Sequence, residues 1–270
     1  MLDSSMYRTA ADSPLDWSNH DPGAKTGFQG GKKDGKAALP DLNRRLGELQ
    51  RRLWAESQQS LLVVLQAMDT GGKDGTIRHV FRGVNPQGVH VRSFQVPSRW
   101  ELAHDYLWRV HRHTPENGAI TIFTRSHYED VLVVRVRDLV SPEVWRKRYR
   151  HIREFERMLV DEGTRIVKIY LNISKDEQAE RLQARLDDPD KNWKFSRDDL
   201  EHRELWDEFR EAHQEAIAET STDFAPWYVV PANRKWYRNL AVSSILIQTL
   251  ESMNPLYPEP EGDLDKVVIT

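Results

Sequence analysis

Apolar residues along this chain fall into short continuous runs bounded by polar, glycine-containing turns. The runs are LLVVLQA (61–67), HVRSFQV (90–96), AITIFTR (119–125), TRIVKIYLNI (164–173) and PWYVVPA (226–232). Short unbroken apolar runs of this kind predict strands buried on both faces. Between them the apolar positions change to helical spacing. Leu42, Leu46, Leu49, Leu53 and Trp54 mark an amphipathic helix over 42–56. Further helices are predicted over 99–113, over 142–161 with Pro142 in its first turn, over 176–186, up to about residue 219, and over 237–253. Strands alternating with helices predict an α/β fold, a parallel sheet with helices on both faces. Residues 1–40 carry no apolar period and read as an extended, partly irregular lead-in. The stretch after Asn254 reads as an irregular tail, and no internal repeat is present.

Composition narrows the setting. A length of 270 residues suits one large domain with appendages, and 30% charged residues against 39% hydrophobic suit a soluble chain. No apolar run approaches the roughly 18 residues of a membrane helix, and the N-terminus lacks the basic-then-apolar form of a secretory signal. Cytoplasmic location is therefore the default, with no membrane partner. The chain has no cysteine, so disulfides and thiolate metal sites are excluded. A net charge of −3 argues against a nucleic-acid coat, so any polyanion must meet a local basic surface.

The chemistry gathers where the run 61–67 breaks into MDTGGKDGTI. A glycine turn between a buried strand and a helix aims backbone N–H groups, a helix N-terminus and the Lys73 ammonium at one point, which is a phosphate site. The spacing is that of a Walker A loop with substitutions: Ala67 replaces the first glycine and Asp74 replaces the Ser or Thr after the lysine. Asp69 adds a second carboxylate, and the nearest hydroxyl, Thr76, comes late. The loop residues Thr70, Gly71, Gly72, Asp74, Gly75 and Thr76 are then candidate phosphate contacts, with the metal held by carboxylates. A glycine-rich turn carrying a surface lysine is the alternative.

Three further groups stand out. The run 119–125 ends on Thr124 and Arg125, followed by Glu129 and Asp130; Thr124 stands where a Walker B aspartate usually supports magnesium. Carboxylates beside an arginine at a strand's end suit a site for metal and phosphoryl oxygens, or else a salt-bridged loop. His127 reads as structural, since transfer between phosphates needs no base for a carbon or alcohol. The polar stretch DDPDKNWKFSRDD follows a helix carrying Arg181 and Arg185 on one face, with Lys191, Lys194 and Arg197 around Trp193. That combination fits a mobile lid over a phosphoryl-transfer centre, or a solvated basic face. Arg146, Arg150, Arg153 and Arg157 form a stripe opposite Trp145, Tyr149, Ile152, Phe155 and Leu159. It fits an exposed face paired with Glu154 and Glu156, or a track for a long polyanion.

The segments QAMDTGGKDGTI, GVNPQGVHVRSFQVPS, YLWRVH, RSHYEDVLV, RYRHIREFERML, ISKDEQAERLQARLDDPDKNWKFS and APWYVVPANRKWYRN together resemble the polyphosphate kinase 2 family. They are most similar to its one-domain branch that accepts both nucleoside mono- and diphosphates. The resemblance implies a P-loop kinase-like three-layer α/β/α fold over residues 41–255, with a helical lid at about 181–210. Residues 1–40 would be an extension and 256–270 a tail. It also implies phosphoryl transfer from inorganic polyphosphate to AMP and ADP, giving ADP and ATP, with Mg2+ and with Mn2+ as a substitute. Guanine nucleotides would be further acceptors, and the chain would form a homo-oligomer, a dimer or tetramer. Carried onto this sequence, Asp69 and Lys73 match the family's catalytic Walker A aspartate and lysine, Arg125 the Walker B arginine, and Arg181 and Arg185 the lid arginines. Asp69, Glu129 and Asp130 would hold the metal, with Glu129 compensating for Thr124. Lys191, Trp193, Lys194, Arg146 and Arg150 would contact nucleotide or polyphosphate. An ATP-dependent nucleoside monophosphate kinase of the thymidylate kinase type is the alternative enzyme, and a polyanion-binding module without turnover the alternative outside catalysis.

Overall fold

The computed structural model describes residues 1–262 and 267–269. Helix α1 (Lys32–Glu56) leads into β1 (Ser60–Ala67), α2 (Lys73–Val80), β2 (Val89–Ser93), the single turn α3 (Trp108–His111) and β3 (Ile120–Arg125). Then follow the single turn α4 (Val133–Val136), α5 (Pro142–Asp161), β4 (Thr164–Asn172), α6 (Lys175–Leu186), α7 (Asp198–Glu204), α8 (Trp206–Thr220), β5 (Trp227–Pro231) and α9 (Lys235–Met253). The strands form one parallel sheet in the order β2-β3-β1-β4-β5. Central β1 is buried at every position. One apolar layer joins its odd-numbered side chains to α1 and α9, and the other joins Leu62 and Val64 to α5 and α8. This two-sided packing explains the continuous apolar run. Trimming one such side chain, as in Leu62→Ala, costs on the order of 2–5 kcal/mol.

Two predicted segments differ. Helix α1 begins at Lys32, well before the first periodic residue Leu42. Its early turns bury only Gly35, where a Cβ would lie 2.2 Å from Cε3 of Trp236. A helix that meets its neighbour through a glycine leaves no apolar stripe to read. The helix predicted over 99–113 is instead two short turns. The Asp105 carboxylate accepts from the N–H groups of Leu107 and Trp108, stopping one turn and starting the next.

The lead-in is ordered. Leu2, Tyr7 and Leu15 are buried, the Leu2 N–H donates to Ser244 at 3.0 Å, and Arg8 forms an antiparallel bridge with Tyr228. The tail after Asn254 is irregular where described, and residues 263–266 and 270 lie outside the described residues. Among the described residues no helix is long and apolar enough to cross a membrane.

Candidate active site

The carboxyl end of β1 opens into a cleft of about 1910 Å³. A single small ligand needs about 300–1,000 Å³, so this cleft has room for two substrates. Its floor is the loop 68–72. Thr70 and Gly72 take positive φ of 66° and 99°. A Cβ on Gly71 would meet the Cβ of Ala67 at 2.4 Å, so only glycine fits there. Asp69, Thr70, Gly72, Lys73, Asp74 and Gly75 line the cleft. Gly71 and Thr76 do not: Gly71 is buried, and the buried Thr76 hydroxyl donates back to the Gly72 carbonyl at 3.0 Å. The late hydroxyl is therefore spent on the first turn of α2 and faces no phosphate.

Arg181 also differs from a lid arginine. It is buried; its Nε meets Glu177 at 2.6 Å, and its terminal nitrogens donate to the carbonyls of Thr70, Gly71, Ala232 and Asn233. This guanidinium braces the loop from behind. Arg185, one turn on, belongs to the lid, donating to the Lys194 carbonyl and pairing with Asp199 at 3.2 Å. The lid runs through a 3-10 turn at Pro189–Lys194 and α7. Trp193 is 77% exposed and, with Lys191 and Lys194, lines the cleft.

Asp69 carries the sharpest electrostatic feature. Burial alone would raise its pKa. A hydrogen bond from His202 of α7 and the charges of Lys73, His202 and Arg125 outweigh burial and hold it at about 2. His202 Nδ1 contacts Asp69 Oδ2 directly, so the lid docks on the loop carboxylate. No motif signals His202; only the packing of α7 over the loop reveals it. Lys235 and Arg238 of α9 also reach the cleft without standing out in sequence.

The expected metal group does not assemble. Asp130 accepts from Arg148 at 3.4 Å with Arg109 close by, and Glu129 accepts from Gln66 at 3.2 Å. Neither lines the cleft. Among the described residues no three carboxylates or imidazoles converge as a metal cage. The single Asp69 carboxylate beside Lys73 fits a divalent cation of the kind that keeps its waters and arrives on substrate phosphates. Thr124 and Arg125 do line the cleft, Arg125 donating to Gln95 at 3.3 Å.

The arginine stripe lies elsewhere. Arg146 stacks on Trp145, Arg150 pairs with Glu154, and Arg157 covers Phe224, none of them in the cleft. Glu156 is not their partner, because it is fully buried against Lys168 at 2.6 Å and His127 at 3.3 Å. That places His127 in a buried ionic cluster, in keeping with a structural role. Cations from α1 (Lys32, Lys36, Arg44), from α2 (Arg78) and from the turn after it (Arg82) line the cleft in the stripe's place.

The sequence profile described as polyphosphate kinase 2 matches residues 29–258. The AMP/ADP-polyphosphate phosphotransferase of Meiothermus ruber is 60% identical over 263 residues, 97% of this chain and 98% of that protein. The ADP-polyphosphate phosphotransferase of Rhodopseudomonas palustris is 49% identical over 227 residues, covering 80% and 78%. The crystal structure of polyphosphate kinase 2 from Arthrobacter aurescens superposes with a TM-score of 0.95 at 43% identity, covering 98% of this chain and 95% of that one.

Proposed function

The chain belongs to the polyphosphate kinase 2 family, and from that premise we propose that it moves the terminal phosphoryl group of inorganic polyphosphate onto AMP and onto ADP. The observation that carries this reading is the cleft itself, large enough for two phosphorylated substrates and walled by cations from α1, α2, α6 and the lid. An oxygen of the acceptor's terminal phosphate attacks the donor's end phosphorus. The bond from that phosphorus to the next bridging oxygen breaks, leaving polyphosphate one unit shorter. No protein group need carry the phosphoryl. Lys73 and Arg125 meet the charge on the transferring group, and Arg185 joins them from the lid. Asp69 would hold a divalent cation, magnesium first and manganese as a substitute, which supplies charge neutralisation between the two phosphates.

The donor path runs along Lys32, Lys36, Arg44, Arg78 and Arg82 instead of the Arg146–Arg157 stripe. On the acceptor side the exposed Trp193 ring supplies stacking without base-specific hydrogen bonds. That supports guanine nucleotides as further acceptors, and lets AMP and ADP share one transfer point. A cytoplasmic location and a homo-oligomeric assembly, dimer or tetramer, are carried over from the family resemblance as part of this proposal.

Nucleotide chromatography after incubation with AMP, polyphosphate and Mg2+ tests the reading. ADP should appear first and ATP after it. A time course that stops at ADP removes the second acceptor, and turnover with ATP but not polyphosphate as donor turns the assignment to a monophosphate kinase.

A further inference from the structure

Arg238 is 2% exposed, on the first turns of α9, and what surface it keeps opens into the cleft. Its Nε and one terminal nitrogen donate to a single acceptor, Oδ1 of Asn239, at 3.2 and 2.8 Å. The other terminal nitrogen has no hydrogen-bond partner among the described residues. It sits in the space that a Cβ on Gly72 would fill, 2.2 Å from that point, and Arg181 lies 3.3 Å from the same point. Among the described residues no carboxylate is within ion-pair distance of Arg238, and Glu177 is engaged by Arg181.

Burial first, and then the neighbouring Arg181 charge, lower the Arg238 pKa to about 9. Lys235 is pushed the same way by burial and Arg181. Three cations thus crowd the back of the loop around one carboxylate. A buried, poorly compensated guanidinium is costly to keep. Arg181 is fully spent on Glu177 and on the carbonyls of Thr70, Gly71, Ala232 and Asn233, whereas Arg238 has donors free.

We propose that Arg238 is a binding residue for the donor, taking oxygens of the polyphosphate groups that stay behind when the terminal one leaves. This rests on the reading above that the donor is a linear condensed phosphate. Gly72 has no side chain, so the guanidinium and the chain can meet across the loop.

The test uses the full chain and its Arg238→Met variant, which keeps volume and removes charge, with Arg238→Lys as the conservative partner. Inorganic tripolyphosphate is the probe, by isothermal titration and by thermal melting. Without ligand, Arg238→Met should melt at or above the wild-type temperature, because a repelled cation has gone. Its tripolyphosphate affinity should fall about tenfold, as for a lost hydrogen bond to a charged group. KM for polyphosphate should rise by a similar factor while KM for ADP stays within about twofold. Arg238→Lys should recover part of the affinity.

Unchanged tripolyphosphate affinity overturns the inference. So does a lower melting temperature with equal weakening toward ADP and polyphosphate, which would mark Arg238 as a mere support for the loop. Wild-type protein that turns over no polyphosphate would sink the reading of the function itself, whichever way the variants behave.

Discussion

Two arginines of α6, one turn apart, face one cleft and are held on opposite principles. Arg181 is buried and bonded to the carbonyls of the loop below it. Arg185, one turn later, is tied only to lid groups, the Lys194 carbonyl and Asp199. Helical spacing puts both on one face, yet one fixes the floor and the other travels with the cover. The floor needs rigidity, because misplacing a reacting group by roughly 1 Å can cost 10²-fold in rate. The lid must open for substrates, so its contacts are few, polar and replaceable by water.

The sharpest break of this contrast is Arg181→Ala. Removing one partner of a buried pair costs on the order of 3–5 kcal/mol and leaves loop carbonyls without donors. Urea denaturation should show that loss, with turnover falling by about 10² as the loop loses its support. A variant as stable as wild type would reduce Arg181 to a surface charge.

The rigid side should also yield first to acid. His213 of α8 is buried, and burial lowers its pKa from 6.5 to about 4, with the Lys73 charge adding to the effect. The folded state therefore binds fewer protons than the unfolded chain. The stability involved is full above pH 6.5 and is lost as pH falls toward 4, by about 3 kcal/mol. Replacing His213 by Gln should flatten urea midpoints across that window, and an unchanged slope would assign the decline to other groups.

Arg185→Ala should act more gently. We expect kcat to fall about tenfold with little change in KM or urea midpoint, since the contact matters in the closed state. An effect confined to KM would make the helix end a docking surface. The smallest effect belongs to Arg150→Ala: KM for polyphosphate should not move, because Arg150 lies outside the cleft. Stability should barely change, because its exposed i,i+4 pair with Glu154 is worth only about 0.3–0.5 kcal/mol. A raised KM would return the donor path to the α5 stripe.

Much of this architecture can be read from residue order, because burial on two faces writes itself as unbroken apolar runs. The runs 61–67, 119–125 and 164–173 lie within two residues of β1, β3 and β4. Pro142 marks the first residue of α5. The loop's position was legible for the same reason. What spacing cannot give is the partner of a polar side chain. Arg181 and Arg185 read alike until one meets backbone carbonyls, and Asp130 reads as a ligand until Arg148 and Arg109 close on it. His202, Lys235 and Arg238 carry no local signal, since they reach the cleft only by the packing of α7 and α9.

The order of strands also bears on how the chain can be made. Central β1 needs β3 on one side and β4 on the other, and Ser60 pairs with Thr164. During synthesis at about 5–20 residues per second, its apolar run waits several seconds for the second neighbour to emerge. Through that interval an unpaired, hydrophobic strand edge is open to other nascent chains. Fragments ending before Thr164 should therefore be recovered in the insoluble fraction, whereas chains carrying β4, β5 and α9 should not. Ribosome-release experiments with staggered stop codons would locate the residue at which the growing polypeptide first becomes resistant to protease.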